Sequence, residues 1–247
     1  TPTQFTLLDN FLNGGLYEGL YIIGAISSLG KTTFTIQIAD QIAKEQDKDI
    51  LIFSLEMSAN ELISKSISRL TYENGGNNLG KSSRGVLDTS RHRHYTDEET
   101  QTIKNAITEY GNYKGNIFIH EGIGDIGALQ IRETVEQHIN ITGRTPIVII
   151  DYVQLLAPQN ERGTDKQNTD KNVLELKRIS RDFKTSVIGI SSLNRASYDK
   201  TISMSAFKES GAIEYSCDVL IGLQLKDTTT EEQTITAKAQ DIRKIEL

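Results

Sequence analysis

The chain has 247 residues, 37% of them hydrophobic, enough to bury the core of one large domain, and no domain-scale linker interrupts it. A formal net charge of −6 excludes a protein coated in positive charge, so any nucleic-acid contact has to come from a local patch of Lys and Arg. The single Cys217 excludes an internal disulfide framework. There is no leading signal and no apolar run near the roughly eighteen residues of a membrane span, so the expected setting is the cytoplasm, with no membrane partner.

In chain order, "LYIIGA" (20–25) predicts a short apolar strand, and a helical pattern follows from Lys31 to about Glu45. "ILIFS" (50–54) is the next strand, and "SANE" (58–61) is a capping box opening a helix through Arg69. Residues 71–95, rich in Gly, Asn and Ser, read as irregular. "TDEE" (96–99) is a second capping box, for a helix to about Tyr110. "NIFIH" (116–120) is a strand and "GALQIRETVEQHI" (127–139) a helix. "IVIID" (147–151) is a near-continuous apolar run, as expected of a strand buried on both faces. The polar stretch "PQNERGTDKQNTD" (158–170) leads to a helix ending near Phe183, and "SVIGIS" (186–191) is another buried strand. "DVLIGLQL" (218–225) and "TITAKA" (234–239) close the set as strands. Strands alternating with helices predict an α/β fold, a mostly parallel central sheet flanked by helices, with ligands at the carboxyl ends of the strands.

"AISSLGKTT" (25–33) lies between the first strand and the first long helix. A phosphate-binding loop needs that context: backbone N–H groups in a tight turn, a Lys reaching the β- and γ-phosphates, and a hydroxyl on Mg²⁺. Ser28, Leu29 and Gly30 supply the turn, Lys31 the ammonium and Thr32 the hydroxyl, and the helix adds its positive end. The strict pattern begins with Gly where this chain has Ala25. Ala is tolerated if its φ is negative. A Gly-Lys helix start can also occur without a ligand, but strand and helix both stand where the loop requires them.

Two carboxylates follow strands. Asp151, after "IVII", has the position of a Walker B aspartate holding Mg²⁺ through oxygen ligands; its bland alternative is a turn or capping residue. Glu56, in "FSLEM", can orient and deprotonate an attacking water, or be only a solvated loop-end glutamate.

"AISSLGKTT", "IFSLEM", "IVIIDYVQLL", "ISSLNR" and "KESGAIEYSCDVLI" together resemble, in order and rough spacing, the RecA-like motor domain of DnaB-type replicative helicases. The opening "FTLLDNFLNGGLYEGLYIIGA" is similar to that family's entry into the motor, and the resemblance covers nearly the whole chain. It implies a single RecA-like P-loop NTPase domain over residues 1–247. It also implies ATP and Mg²⁺ as cofactors, a homo-hexameric ring hydrolysing ATP at subunit interfaces, and single-stranded DNA in the channel. Family members commonly begin this loop with Ala. The resemblance further implies that Lys31 and Thr32 hold phosphate and Mg²⁺, that Thr33 lies near the α-phosphate, that Glu56 is the base, and that Asp151 is the Walker B carboxylate.

Three departures accompany it. Ser192 replaces the glutamine that the family uses to sense the γ-phosphate. No stretch matches the family's late arginine-finger hairpin, and Arg243 in "DIRKIEL" has different surroundings. The family's amino-terminal domain is expected to be absent. Arg162, Lys166 and Lys171, in a stretch corresponding to a channel-facing loop, are the candidate DNA contacts, with mobility expected when DNA is absent. Lys81, Arg84, Arg91 and Arg93 form a basic stretch that is either a second DNA-backbone contact or a solvated loop. The competing readings are a non-helicase RecA-fold ATPase remodelling a protein partner, and a nucleotide-binding module with weak hydrolysis.

Overall fold

The computed structural model describes residues 1–193, 207, 211–224 and 242–244. Among them, seven strands form one sheet: β1 (Gly19–Ala25), β2 (Ile50–Ser54), β3 (Ile117–Glu121), β4 (Ile147–Asp151), β5 (Ser186–Ser192), β6 (Val219–Leu223) and β7 (Ile242–Lys244). Their order is β3-β2-β4-β5-β1-β6-β7, and every neighbouring pair is parallel. β1, β2 and β4 are buried along their whole length, because helices cover both faces of the sheet.

The two faces sort by alternation along each strand. Ile147 and Ile149 of β4 join a core with α2 (Lys31–Gln46), α3 (Ala59–Leu79) and α6 (Asp97–Tyr113). Val148 and Ile150 join the opposite core, with α7 (Ala128–Thr142), α8 (Asp165–Asp182) and α9 (Gly211–Ser216). A short α1 (Thr6–Phe11) precedes β1 and contributes Leu8 to the first core.

Both capping boxes form. Ser58 accepts from the Glu61 N–H while Glu61 accepts from the Ser58 N–H, and Thr96 and Glu99 repeat the exchange. The expectation of irregular structure over 71–95 is overturned. α3 continues to Leu79 past a break at Gly76, and α4 (Ser83–Leu87) and α5 (Thr89–His92) follow. Tertiary contact overrides weak propensity here: Leu70 and Thr71 are buried, the Ser68 hydroxyl donates to the Lys81 carbonyl, and the Lys81 N–H donates to the Thr71 hydroxyl. Ser82 and Asp88 then cap the two short helices.

The polar stretch at 158–170 is also shorter than expected. Thr164 and Gln167 form a third capping box, which starts α8 at Asp165. The sequence reading did not anticipate β7, and "TITAKA" lies outside the described residues. Among the described residues, no helix is long and apolar enough to cross a membrane.

Candidate functional site

Four adjacent strands, β2, β4, β5 and β1, end at one edge of the sheet. Glu56 follows β2, Asp151 ends β4, Ser192 ends β5, and the loop at 25–33 leaves β1. Neighbouring strands stand ~4.8 Å apart. Residues distant in sequence therefore gather along the edge where open α/β sheets take ligands.

The loop has the backbone its sequence suggested. Ala25 is the last residue of β1, fully buried and paired with Ser192 and Leu223, so it needs none of glycine's freedom. The freedom is used later, at Gly30 (φ 89), where a Cβ would be strained by the backbone although nothing lies within 4 Å of its position. Ser28 is also left-handed, at φ 64, and Leu29 anchors the turn by packing on the core. Among the described residues no side chain caps the first turn of α2, which leaves its positive end for an anion.

Lys31 Nζ donates to the Ala25 and Ile26 carbonyls at 3.2 and 3.4 Å, so its ammonium lies over the loop. Thr32 Oγ1 donates to Asp151 Oδ2 at 2.8 Å, joining loop and β4 end directly. Thr33 is exposed on the same helical turn. Burial raises the Asp151 pKa above the usual carboxylate value; the Thr32 hydrogen bond opposes this, Glu56 adds to it, and Lys31 and Lys65 oppose it. Glu56, Lys31, Lys65 and Asp151 thus share one electrostatic neighbourhood.

Glu56 itself is exposed, but its turn is held from three directions. Leu55 N–H donates to the Asp151 carbonyl at 2.7 Å, Ser54 Oγ donates to the Met57 carbonyl at 2.5 Å, and Ala59 N–H donates to Glu121 Oε1 at 2.5 Å. A fixed turn with a solvent-facing carboxylate suits a group that must meet a water.

The donor set fits Mg²⁺ better than a transition metal. Among the described residues, no group of three or more His, Cys, Asp or Glu could hold a metal. One aspartate and one threonine hydroxyl are hard oxygen donors, of the kind Mg²⁺ uses beside substrate phosphates.

The DNA candidates are separate. Arg162 lies in the turn before α8, while Lys166 and Lys171 are on the helix and not in a loop. All three are exposed. The two lysines stand about 140° apart around α8, so the three cations do not make one stripe. In the earlier basic stretch, Lys81 pairs with Glu99 and lies over the Tyr95 ring, and Arg91 pairs with Asp88. Half of that stretch's positive charge is therefore spent internally. Arg243 lies in β7, its backbone in register with Ile221.

Sequence reading missed Lys65. It shares a groove of about 450 Å³ with Thr33, Arg69 and Tyr72, and it acts on Asp151. The signal was available: Lys65 lies two turns beyond the Ser58 cap, on the helix that Glu56 introduces.

The DnaB-like helicase C terminal domain family model matches residues 1–245. The chain is 32% identical over 238 residues to "Replicative DNA helicase DnaC" of Bacillus subtilis (strain 168), covering 94% of this chain and 48% of that protein. It is 31% identical over 237 residues to "Replicative DNA helicase DnaB" of Geobacillus stearothermophilus, covering 92% and 47%. The chain thus spans about half the length of the curated relatives it matches. Among solved structures, "The Structure Of A DnaB-Like Replicative Helicase And Its Interactions With Primase" superposes with a TM-score of 0.78 at 27% identity, covering 89% of this chain and 50% of that one.

Proposed function

Because the chain belongs to the DnaB-like helicase C-terminal domain family, we propose that it is the ATP-hydrolysing motor of a replicative-type DNA helicase. In this reading residues 1–247 form a single RecA-like ATPase domain, which assembles as a cytoplasmic homo-hexamer and moves along single-stranded DNA. The observation that carries it is the 2.8 Å hydrogen bond from Thr32 to Asp151, which places a phosphate-loop hydroxyl and a strand-end carboxylate on one point.

The roles follow from position. Ser28, Leu29, Gly30, Lys31, Thr32 and Thr33 hold the phosphates, with Lys31 supplying the charge. Thr32 and Asp151 would hold Mg²⁺, which would supply neutralisation of the phosphate charge. Glu56 orients the attacking water and takes its proton. Arg162, Lys166 and Lys171 are the proposed DNA contacts, through phosphate charge.

Asp151→Asn should weaken nucleotide binding about 10–100-fold in the presence of Mg²⁺, and far less in its absence. Calorimetric titration under both conditions checks this. Equal losses would indicate a folding defect and remove Asp151 from the metal site.

Ser192 favours one second reading, a nucleotide-binding module with weak hydrolysis, because its side chain is several atoms shorter than the glutamine expected there. Phosphate release against protein concentration, with solution mass measured alongside, separates the two. A motor with a shared site gains turnover per subunit as the chain assembles, and gains again with single-stranded DNA. A monomer that hydrolyses equally fast at every concentration excludes the interfacial site. Strand displacement on forked DNA by the full-length protein then tests helicase activity against remodelling of a protein partner.

A further inference from the structure

β5 ends on two serines that face opposite sides of the sheet. Ser192 shares its side with Ile188, in the core beneath α2, and pairs with Ala25 at the start of the phosphate loop. Ser191 shares its side with Val187 and Leu193, in the opposite core, and is fully buried. There, Gln154 Nε2 donates to Ser191 Oγ at 2.8 Å.

Gln154, three residues after Asp151, belongs to the 3-10 turn Val153–Leu155, which follows the end of β4 and leads into the stretch at 158–170. That turn is pressed onto β5. A Cβ on Gly189 would stand 2.6 Å from Val153 Cγ2, so only glycine permits the approach. The turn is thus seated by contact on one strand and by covalent connection on another.

The amide is incompletely satisfied. Gln154 Oε1 is buried and, among the described residues, has no hydrogen-bond partner. Turning the amide over would give Ser191 the oxygen and leave the nitrogen without one, so either orientation strands one polar end. Among the described residues, Ser191 Oγ has only a 3.4 Å contact to the Ser192 carbonyl besides the amide. A buried polar group in this state is costly, and a small shift of either strand that supplies a partner is favoured by the same amount. The joint is therefore poised to respond to displacement between β4 and β5, the two strands whose ends flank the site.

We propose that Gln154 is a positioning residue that couples the nucleotide site to the segment at 158–170, through its hydrogen bond to Ser191 across β5. The proposal rests on the nucleotide reading given above and deepens it. A ligand on the loop displaces Ala25 and Ser192 together, Ser191 moves with Ser192, and Gln154 carries the movement into the turn that launches the segment. Two ties hold the segment to receive it: Asn172 Nδ2 donates to the Ala157 carbonyl at 3.0 Å, joining the residues that flank it, and within it Asn168 Nδ2 donates to the Asn160 carbonyl at 2.9 Å.

The test is amide hydrogen exchange over 158–170, with and without saturating ATPγS and Mg²⁺, alongside nucleotide affinity measured by titration. In the parent, exchange in this segment should change about fivefold or more on nucleotide binding. Gln154→Met, which keeps volume and removes the amide, should abolish that change while leaving nucleotide affinity within about twofold. Ser191→Ala removes the same bond with less disturbance and should give the same loss. A merely structural Gln154 would raise exchange equally in both states and keep the nucleotide-dependent difference, which overturns the proposal. A parent that binds nucleotide with no change at 158–170 also overturns it. A parent that fails to bind ATPγS at all defeats the nucleotide reading itself, and the coupling falls with it.

Discussion

Glu56→Gln should leave nucleotide binding nearly unchanged and lower turnover by about 10²–10⁴-fold, the usual worth of a positioned general base, if Glu56 has the role proposed for it. The glutamine keeps the shape and can still hydrogen-bond a water, but it cannot accept the proton. The surrounding turn should survive, because its hydrogen bonds use the Leu55 and Ala59 N–H groups, the Ser54 hydroxyl and the Met57 carbonyl, never the Glu56 carboxylate. Lys31→Ala should do the opposite and lose affinity first, since it removes the charge beside the Ala25 and Ile26 carbonyls that would meet the β- and γ-phosphates. Calorimetry and phosphate release on both variants separate binding from chemistry. Parent-like hydrolysis by Glu56→Gln would take the role of base away from Glu56, and unchanged affinity in Lys31→Ala would do the same for the phosphate loop.

The elements that carry the candidate site were legible in the sequence where the local pattern is strong. "LYIIGAISSLGKTT" announces strand, loop and helix within a few residues, because the loop works only between those elements. "IVIID" is legible because a strand covered on both faces has no polar side to show. The gathering of Glu56, Asp151 and Ser192 beside the loop was legible only through the family resemblance. Nothing in the chain order 1-2-3-4-5 reveals that β4 and β5 insert between β2 and β1. The helices of 83–92 were hidden for a different reason. Their residues have weak propensities, and they are helical because Ser82, Asp88 and the α3 surface supply local partners. Lys65 and Gln154 escaped notice because an isolated Lys on a helix or Gln after a strand carries no motif. Their meaning comes from what the fold puts beside them.

Arg69→Met should destabilise the fold by about 3–5 kcal/mol at pH 8, among the largest effects of any single change outside the candidate site. Asp40 on α2 is 1% exposed, and Arg69 Nη2 on α3 lies 3.0 Å from its Oδ2. Arg69 Nη1 also holds Glu73, one turn further along, at 2.7 Å. Burial pushes the Asp40 pKa up to about 6, against the attraction of Arg69. Burial also works against the Arg69 charge, but Asp40 and Glu73 overcome it and hold the guanidinium pKa above its ordinary value. At pH 8 both partners are therefore charged, and methionine would keep the packing of the stem while leaving the buried carboxylate without its cation, with the Ser66 hydroxyl still on it.

The pH dependence follows in sign. A carboxyl whose folded pKa lies above its unfolded value near 3.9 contributes stability that is fully present at low pH and lost as pH rises through about 6. Removing Arg69 raises the folded value further, so the penalty should be severe at pH 8 and much smaller at pH 5, where Asp40 can take a proton. Adding Asp40→Asn to Arg69→Met removes the charge altogether and should recover most of the loss at pH 8, with little change at pH 5. Urea unfolding of the three proteins at both pH values makes the comparison. A loss in Arg69→Met that is equal at pH 5 and pH 8, and is not relieved by Asp40→Asn, would show that the lost term is packing. It would then follow that the ion pair does not hold α2 against α3.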